Sequence, residues 1–152
     1  MALEAGDDAP TVTAPNQDGE AVTLSFEDPT VLYFYPKDDT PGCTVEANQF
    51  QRELETYREA GVDVYGVSVD DVDSHRAFCD SEGLEFDLLA DPDAEVADAF
   101  GVELRDSGVT TRTTFLLADG DVKAVYEGVD PDGHAREVLL DALEDDLVTL
   151  PE

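Results

Sequence analysis

Two hydrophobic periods alternate along the chain. Thr11-Val12-Thr13 and Ala21-Val22-Thr23-Leu24 alternate polar with apolar positions, and Asn16-Gln17-Asp18-Gly19 supplies turn residues between them. Residues 11–24 therefore read as a β-hairpin. Val31-Leu32-Tyr33-Phe34-Tyr35 is apolar throughout, the pattern of a strand covered on both faces, and Pro36 ends it. From Gly42 to about Ala60 the period becomes helical: Cys43, Ala47, Phe50, Leu54 and Tyr57 recur at spacings of three and four and share one face. Residues 62–69 give a second strand. A short helix is predicted over 73–82, stopped by Gly83. Leu88-Leu89 is a brief strand, and 93–100 a further short helix with Gly101 behind it.

The C-terminal half closes with a hairpin, 113–117 and 122–126, about Asp119-Gly120. The last helix begins near Pro131-Asp132-Gly133 and directs Ala135, Val138, Leu139, Ala142 and Leu143 to the core. Strands alternating with helices and a closing hairpin predict an α/β fold with a mixed sheet. A length of 152 residues fits one domain over 1–152.

Composition changes this picture in one respect. There are 38 acidic residues against 8 basic ones, a net charge of −30, and the acids are spread along the chain rather than gathered in a tail. With 41% hydrophobic residues and regular periodicity, this is a folded domain with an acidic surface, not acidic disorder. Self-repulsion on that scale opposes compaction at low salt, and at about 1 M salt, where the Debye length is roughly 3 Å, most of it is screened. Lysine occurs only at positions 37 and 123, a usage that resembles salt-in halophiles. The charge argues against binding nucleic acid or anionic membranes, which require clustered Lys and Arg. No run approaches the roughly 20 apolar residues of a membrane helix. The first residues show no basic region followed by an apolar one, so a cytoplasmic protein is expected.

Two cysteines remain, Cys43 and Cys79, with no C-x-x-C between them. They are too few for a structural zinc site. Cys43 falls where a buried strand gives way to a Pro-rich loop and a helix begins. Free N–H groups and the positive end of the helix dipole face the sulfur there and favour the thiolate. Its place on the apolar face predicts a sulfur at the floor of a partly enclosed pocket. Pro41 suits a helix start.

The stretch from Phe34-Tyr35-Pro36 through Lys37-Asp38-Asp39-Thr40-Pro41-Gly42-Cys43-Thr44-Val45-Glu46 resembles the peroxidatic signature of the peroxiredoxins, P-x-x-x-T-x-x-C. Its wording is similar to the bacterioferritin comigratory protein, or PrxQ, subfamily. Arg112-Thr113-Thr114-Phe115-Leu116 resembles a later motif of that family, and Gly6-Asp7-Asp8-Ala9-Pro10 its opening. The resemblance covers nearly the whole chain. It implies a thioredoxin-like fold with a mixed central sheet flanked by helices and an added N-terminal β-hairpin.

The resemblance also implies roles. Cys43 is the peroxidatic nucleophile, converted to a sulfenic acid. Thr40 holds the thiolate and the peroxide oxygen, and Arg112 donates hydrogen bonds to both. Pro36 shields the pocket, while the backbone N–H groups of Gly42 and Cys43 complete a cradle for the peroxide. The alternative for Arg112 is an ion pair with nearby acids. No metal, haem or flavin is implied. The substrates are hydrogen peroxide and alkyl hydroperoxides, the reductant is a thioredoxin-like dithiol protein, and a monomer is expected.

The chain departs from the subfamily at one position. Many members carry a resolving cysteine five residues after the first, and here that residue is Asn48. Some members resolve from the helix after the next strand, where Cys79 falls. A Cys43–Cys79 disulfide would require the first turns of one or both helices to unwind, because the Cα atoms must approach within about 7 Å. The alternative is a one-cysteine enzyme with Cys79 as core filler beside Phe78. His75 shares a face with Cys79 and either activates it or is a solvated surface histidine; His134 has no evident partner. A metal on His75 and Cys79 lacks ligands. Two rival functions stay open: a redox sensor that passes its oxidation to a partner, and a non-catalytic thioredoxin-fold binding module.

Overall fold

The structure, a computed structural model, describes residues 3–144. Five strands form a mixed sheet in the order β5-β4-β3-β6-β7: β3 (Thr30–Phe34), β4 (Asp63–Ser68), β5 (Asp87–Ala90), β6 (Thr113–Ala118) and β7 (Asp121–Glu127). β3 pairs parallel with β4 and antiparallel with β6, so the continuous apolar run lies at the centre, every residue of it buried. The predicted N-terminal hairpin, β1 (Val12–Pro15) and β2 (Ala21–Leu24), forms a separate two-stranded sheet. Its turn closes as the sequence predicts, with Gly19 N–H donating to the Asn16 carbonyl.

Strand period two decides what each face of the sheet meets. Val31, Tyr33 and Tyr35 face a cluster built by α1 (Pro41–Glu59), α2 (Val72–Glu82) and α4 (His134–Glu144). Leu32 and Phe34 face the hairpin and α3 (Glu95–Phe100). α1 buries Phe50, Leu54 and Tyr57 in the first cluster, each side chain worth about 1.5–3 kcal/mol of transfer free energy. The expected core face of α4 is observed, with Ala135, Val138, Leu139 and Ala142 buried and Leu143 packed against them.

Helix boundaries shift where a cap lies out of sequence register. α2 starts one residue early because Asp71, its N-cap, accepts from Ser74 N–H at 2.8 Å. α3 starts two residues late: Ala94 is left-handed at φ 56°, and the Asp91 carboxylate accepts from the N–H groups of Val96 and Ala97 across the preceding loop.

Candidate active site

The register between β3 and β6 assembles the site. Phe34 pairs with Thr113, so Arg112 falls beside the point where the chain leaves β3 for the loop 36–40. Thr110 fixes this approach, its hydroxyl donating to the Tyr35 carbonyl at 2.8 Å. Pro36 is buried under the loop. Asp39 adopts φ 60°, a left-handed conformation that aspartate tolerates better than most side chains. Thr40 is extended at the N-cap of α1, and its hydroxyl donates to the Lys37 carbonyl at 2.9 Å. Pro41 is the first helical residue, where its missing N–H costs nothing.

Cys43 stands in the first turn of α1, 1% exposed, so its sulfur is covered more fully than a pocket floor would be. Arg112 reaches it from β6. One guanidinium nitrogen, Nη2, donates to Sγ at 3.2 Å, and the other, Nη1, donates to Glu46 Oε1 at 2.9 Å. Arg112 therefore makes the ion pair that was its alternative reading and also touches the cysteine sulfur. Its side chain is 14% exposed, which shields the charge from water and strengthens both contacts. A guanidinium so held stabilises negative charge on sulfur. The N–H groups of the first helical turn, those of Gly42 and Cys43 among them, have no intrahelical acceptor and lie beside it.

Glu46 was absent from the sequence-derived set of site residues. It is 1% exposed, three residues after Cys43 on the buried face of α1. Burial pushes its carboxyl up to about 7, opposed by the charge and hydrogen bond of Arg112. Its second oxygen, Oε2, has no hydrogen-bond partner. Gly42 has a role beyond its N–H: a Cβ there would lie 2.6 Å from Arg112 Nη2. Only glycine admits the guanidinium to the sulfur without displacement.

Cys79 is 7% exposed and shares an apolar cluster with Cys43, both as free thiols. It is the eighth of the 11 residues of α2, so unwinding the first turn of that helix, as first expected, would not release it. Its release takes unwinding that reaches this eighth residue, from either end of α2. Burial pushes the Cys79 thiol up to about 12, with the charges of Asp38, Asp87, Asp80 and Asp18 adding to the effect.

His75 is not a solvated surface residue. It is fully buried, with Nδ1 2.7 Å from Asp38 Oδ2 and Nε2 3.0 Å from the Leu89 carbonyl. The reason is a partner distant in sequence, since the Asp38 carboxylate offsets the desolvation of the ring. His134 also has partners: Nε2 lies 2.8 Å from the Thr114 hydroxyl and Nδ1 3.3 Å from Glu137. Among the described residues, Asp38, Asp70 and His75 bring ligand atoms within 4.8 Å of one another. The Asp38 and Asp70 oxygens there already accept from Tyr35, Ser68 and Ser74 hydroxyls and from Asp38 N–H. The group is thus a hydrogen-bond network, buried at Asp38 and His75 and half-buried at Asp70.

Residues 5–125 match the AhpC/TSA family. The chain is 42% identical over 146 residues to peroxiredoxin Bcp of Escherichia coli, covering 90% of this chain and 94% of that one. Among solved structures, peroxidoxin BcpB from Mycobacterium tuberculosis superposes with a TM-score of 0.85 at 32% identity, over 91% of this chain and 95% of the other. Peroxiredoxin Q of Xanthomonas campestris superposes at 0.84 and 34% identity, over 95% and 99%. Two structures of that protein are cysteine-to-serine mutants at positions separated by the same interval as Cys43 and Cys79. Another from that organism concerns the alkyl peroxide reduction activity of bacterioferritin comigratory protein.

Proposed function

The chain belongs to the AhpC/TSA family as a Bcp/PrxQ-type peroxiredoxin, a thiol-dependent peroxidase, and we propose that Cys43 is its peroxidatic residue and Cys79 its resolving one. The observation that carries the first assignment is the 3.2 Å contact from Arg112 to Cys43 Sγ in the first turn of α1. The Cys43 thiolate attacks the terminal oxygen of a hydroperoxide. The O–O bond breaks, the hydroxyl passes to sulfur as a sulfenic acid, and the leaving oxygen takes a proton to depart as water or alcohol. Arg112 donates to the sulfur and the attacked oxygen, and charge develops where its guanidinium already points. Glu46 holds Arg112 in that orientation. The Thr40 hydroxyl donates to Lys37 and keeps lone pairs to accept from the peroxide O–H. The Gly42 and Cys43 N–H groups face the same oxygen, and Pro36 closes the loop side.

Resolution condenses the Cys43 sulfenic acid with the Cys79 thiol, forming the S–S bond and releasing water. Once formed, a disulfide closing about 36 residues restricts the unfolded chain and stabilises the oxidised fold against it by roughly 3–4 kcal/mol in the chain-entropy model, which partly offsets the helix lost. A dithiol protein of the thioredoxin kind then returns two electrons. Such a cycle runs in a reducing compartment, which supports the cytoplasm as its location; fractionation of the source cells checks this. The acidic surface supports a halophilic origin and a monomer, the latter checked by size-exclusion chromatography at molar salt.

The deciding experiment is non-reducing peptide mass spectrometry after one equivalent of hydrogen peroxide at molar salt. A Cys43–Cys79 disulfide is expected. Cys43 sulfenic or sulfinic acid beside free Cys79 would make the enzyme one-cysteine, with an external thiol as resolver. Cys43 still reduced while peroxide persists would remove the assignment of Cys43.

A further inference from the structure

One buried polar cluster joins the catalytic loop to the resolving helix without touching the sulfur of Cys43. Asp38, 6% exposed, lies in the loop two residues before Thr40. Its carboxylate accepts from the Tyr35 hydroxyl at 2.6 Å and the Ser74 hydroxyl at 2.8 Å, and it meets His75 Nδ1 at 2.7 Å. Its N–H donates to Asp70 Oδ2, which also takes the Ser68 hydroxyl. Ser74 and His75 belong to α2, and Leu89, on the far side of the imidazole, belongs to β5.

The partners assign the hydrogens of His75. A carbonyl oxygen only accepts, so the Nε2 that faces Leu89 carries a hydrogen. The Nδ1–Oδ2 line also needs a hydrogen, because a bare ring nitrogen and a carboxylate oxygen at 2.7 Å would repel. Both ring nitrogens are thus engaged, one on the loop and one on the sheet. His75 precedes Cys79 by one helical turn. Unwinding of α2 that runs from its first turn to Cys79 breaks this pair.

We propose that His75, seated on Asp38, is a positioning residue for resolution: it bolts α2 to the catalytic loop and sets how often Cys79 is released toward an oxidised Cys43. This rests on Cys79 being the resolving residue. The bolt governs a competition. A Cys43 sulfenic acid either condenses with Cys79, losing water, or meets a second peroxide and becomes a sulfinic acid, the peroxide being reduced to water or alcohol. Tight bolting lengthens the life of the sulfenic acid and favours the second course. A hydrogen bond to an ionised group corresponds to about ten- to 150-fold in an opening equilibrium.

The test compares the full-length wild type with His75→Gln at molar salt. Hydrogen–deuterium exchange reads the opening of α2 in the reduced protein, with α4 as internal reference. Rapid-quench mass spectrometry reads the ratio of Cys43–Cys79 disulfide to Cys43 sulfinic acid over rising hydrogen peroxide. The variant is expected to exchange α2 amides about ten-fold faster or more. It should form disulfide faster and need about ten-fold more peroxide to reach the same sulfinic fraction. Ser74→Ala, which removes one donor from Asp38, should shift both readouts the same way by about two- to ten-fold, and it stands in if His75→Gln does not fold. Exchange of α2 within two-fold of wild type would overturn the bolt. Faster exchange with an unchanged disulfide-to-sulfinate ratio would overturn its role in resolution. A wild type that makes no Cys43–Cys79 disulfide, while α2 still opens in His75→Gln, would instead locate the failure in the assignment of Cys79.

Discussion

The steric gap at Gly42 allows a sharp test of whether the Arg112–sulfur contact carries rate. Gly42→Ala places a methyl 2.6 Å from Arg112 Nη2, whereas ordinary contact begins near 3.4 Å. The guanidinium is the free end of a flexible side chain, so it yields, withdrawing by about 0.8 Å at little cost to the fold. The nitrogen that must move is the one bonded to Cys43 Sγ. A hydrogen bond to an ionised group is worth about 1.5–3 kcal/mol, so losing it in the transition state slows sulfenic acid formation by about ten- to 150-fold. Stability moves the other way or not at all, because alanine is the better helix former by up to about 1 kcal/mol. The assay is quenched-flow oxidation of the reduced protein by excess hydrogen peroxide at molar salt, with the sulfenic acid trapped by a dione and read by intact mass, beside a thermal melt. A rate within about two-fold of wild type in a protein that melts no lower would refute the reasoning.

Three further outcomes are expected. Glu46 titrates near 7 when folded and near 4.5 when not, so the native state holds its proton more tightly. The stability it contributes is complete below pH 4.5 and is lost as pH rises through 7. Urea unfolding should show Glu46→Gln gaining on the wild type over that window, and a pH-independent difference would contradict it. Tyr33 buries a hydroxyl with no hydrogen-bond partner, so Tyr33→Phe should raise stability by about 1 kcal/mol in the same assay; a loss of that size would reveal an acceptor. The net charge of −30 predicts a melting temperature that climbs between 0.1 and about 2 M potassium chloride as the Debye length shrinks, and a flat profile would refute the electrostatic reading.

Much of the fold was legible because the signals are local. The Asn16–Gly19 turn, the unbroken apolar run of β3 and the three-four spacing of α1 each sit in a window shorter than 20 residues. Boundaries went astray where a cap comes from outside that window, as when Asp91 caps α3 across a loop. The site divides the same way. Cys43, Thr40 and Pro36 lie on one stretch, and Arg112 is carried to them by a β3–β6 register that sequence alone does not state. Glu46 could have been found: counting three on from Cys43 places a carboxylate on the apolar face, where it requires a cation. His75 could not, because Asp38, 37 residues away, is what makes its burial tolerable.

The depth at which Cys79 is buried bears on chemical selectivity. A thiol pushed up to about 12 is almost wholly un-ionised at neutral pH, so stray electrophiles and oxidants pass it by. If Cys79 resolves Cys43 as proposed, it becomes a nucleophile only while α2 is unwound, and its target is then an oxidised sulfur in its own chain. On that proposal, discrimination among electrophiles comes from timing rather than from recognition: the second cysteine is camouflaged as a core residue and surfaces only when α2 opens.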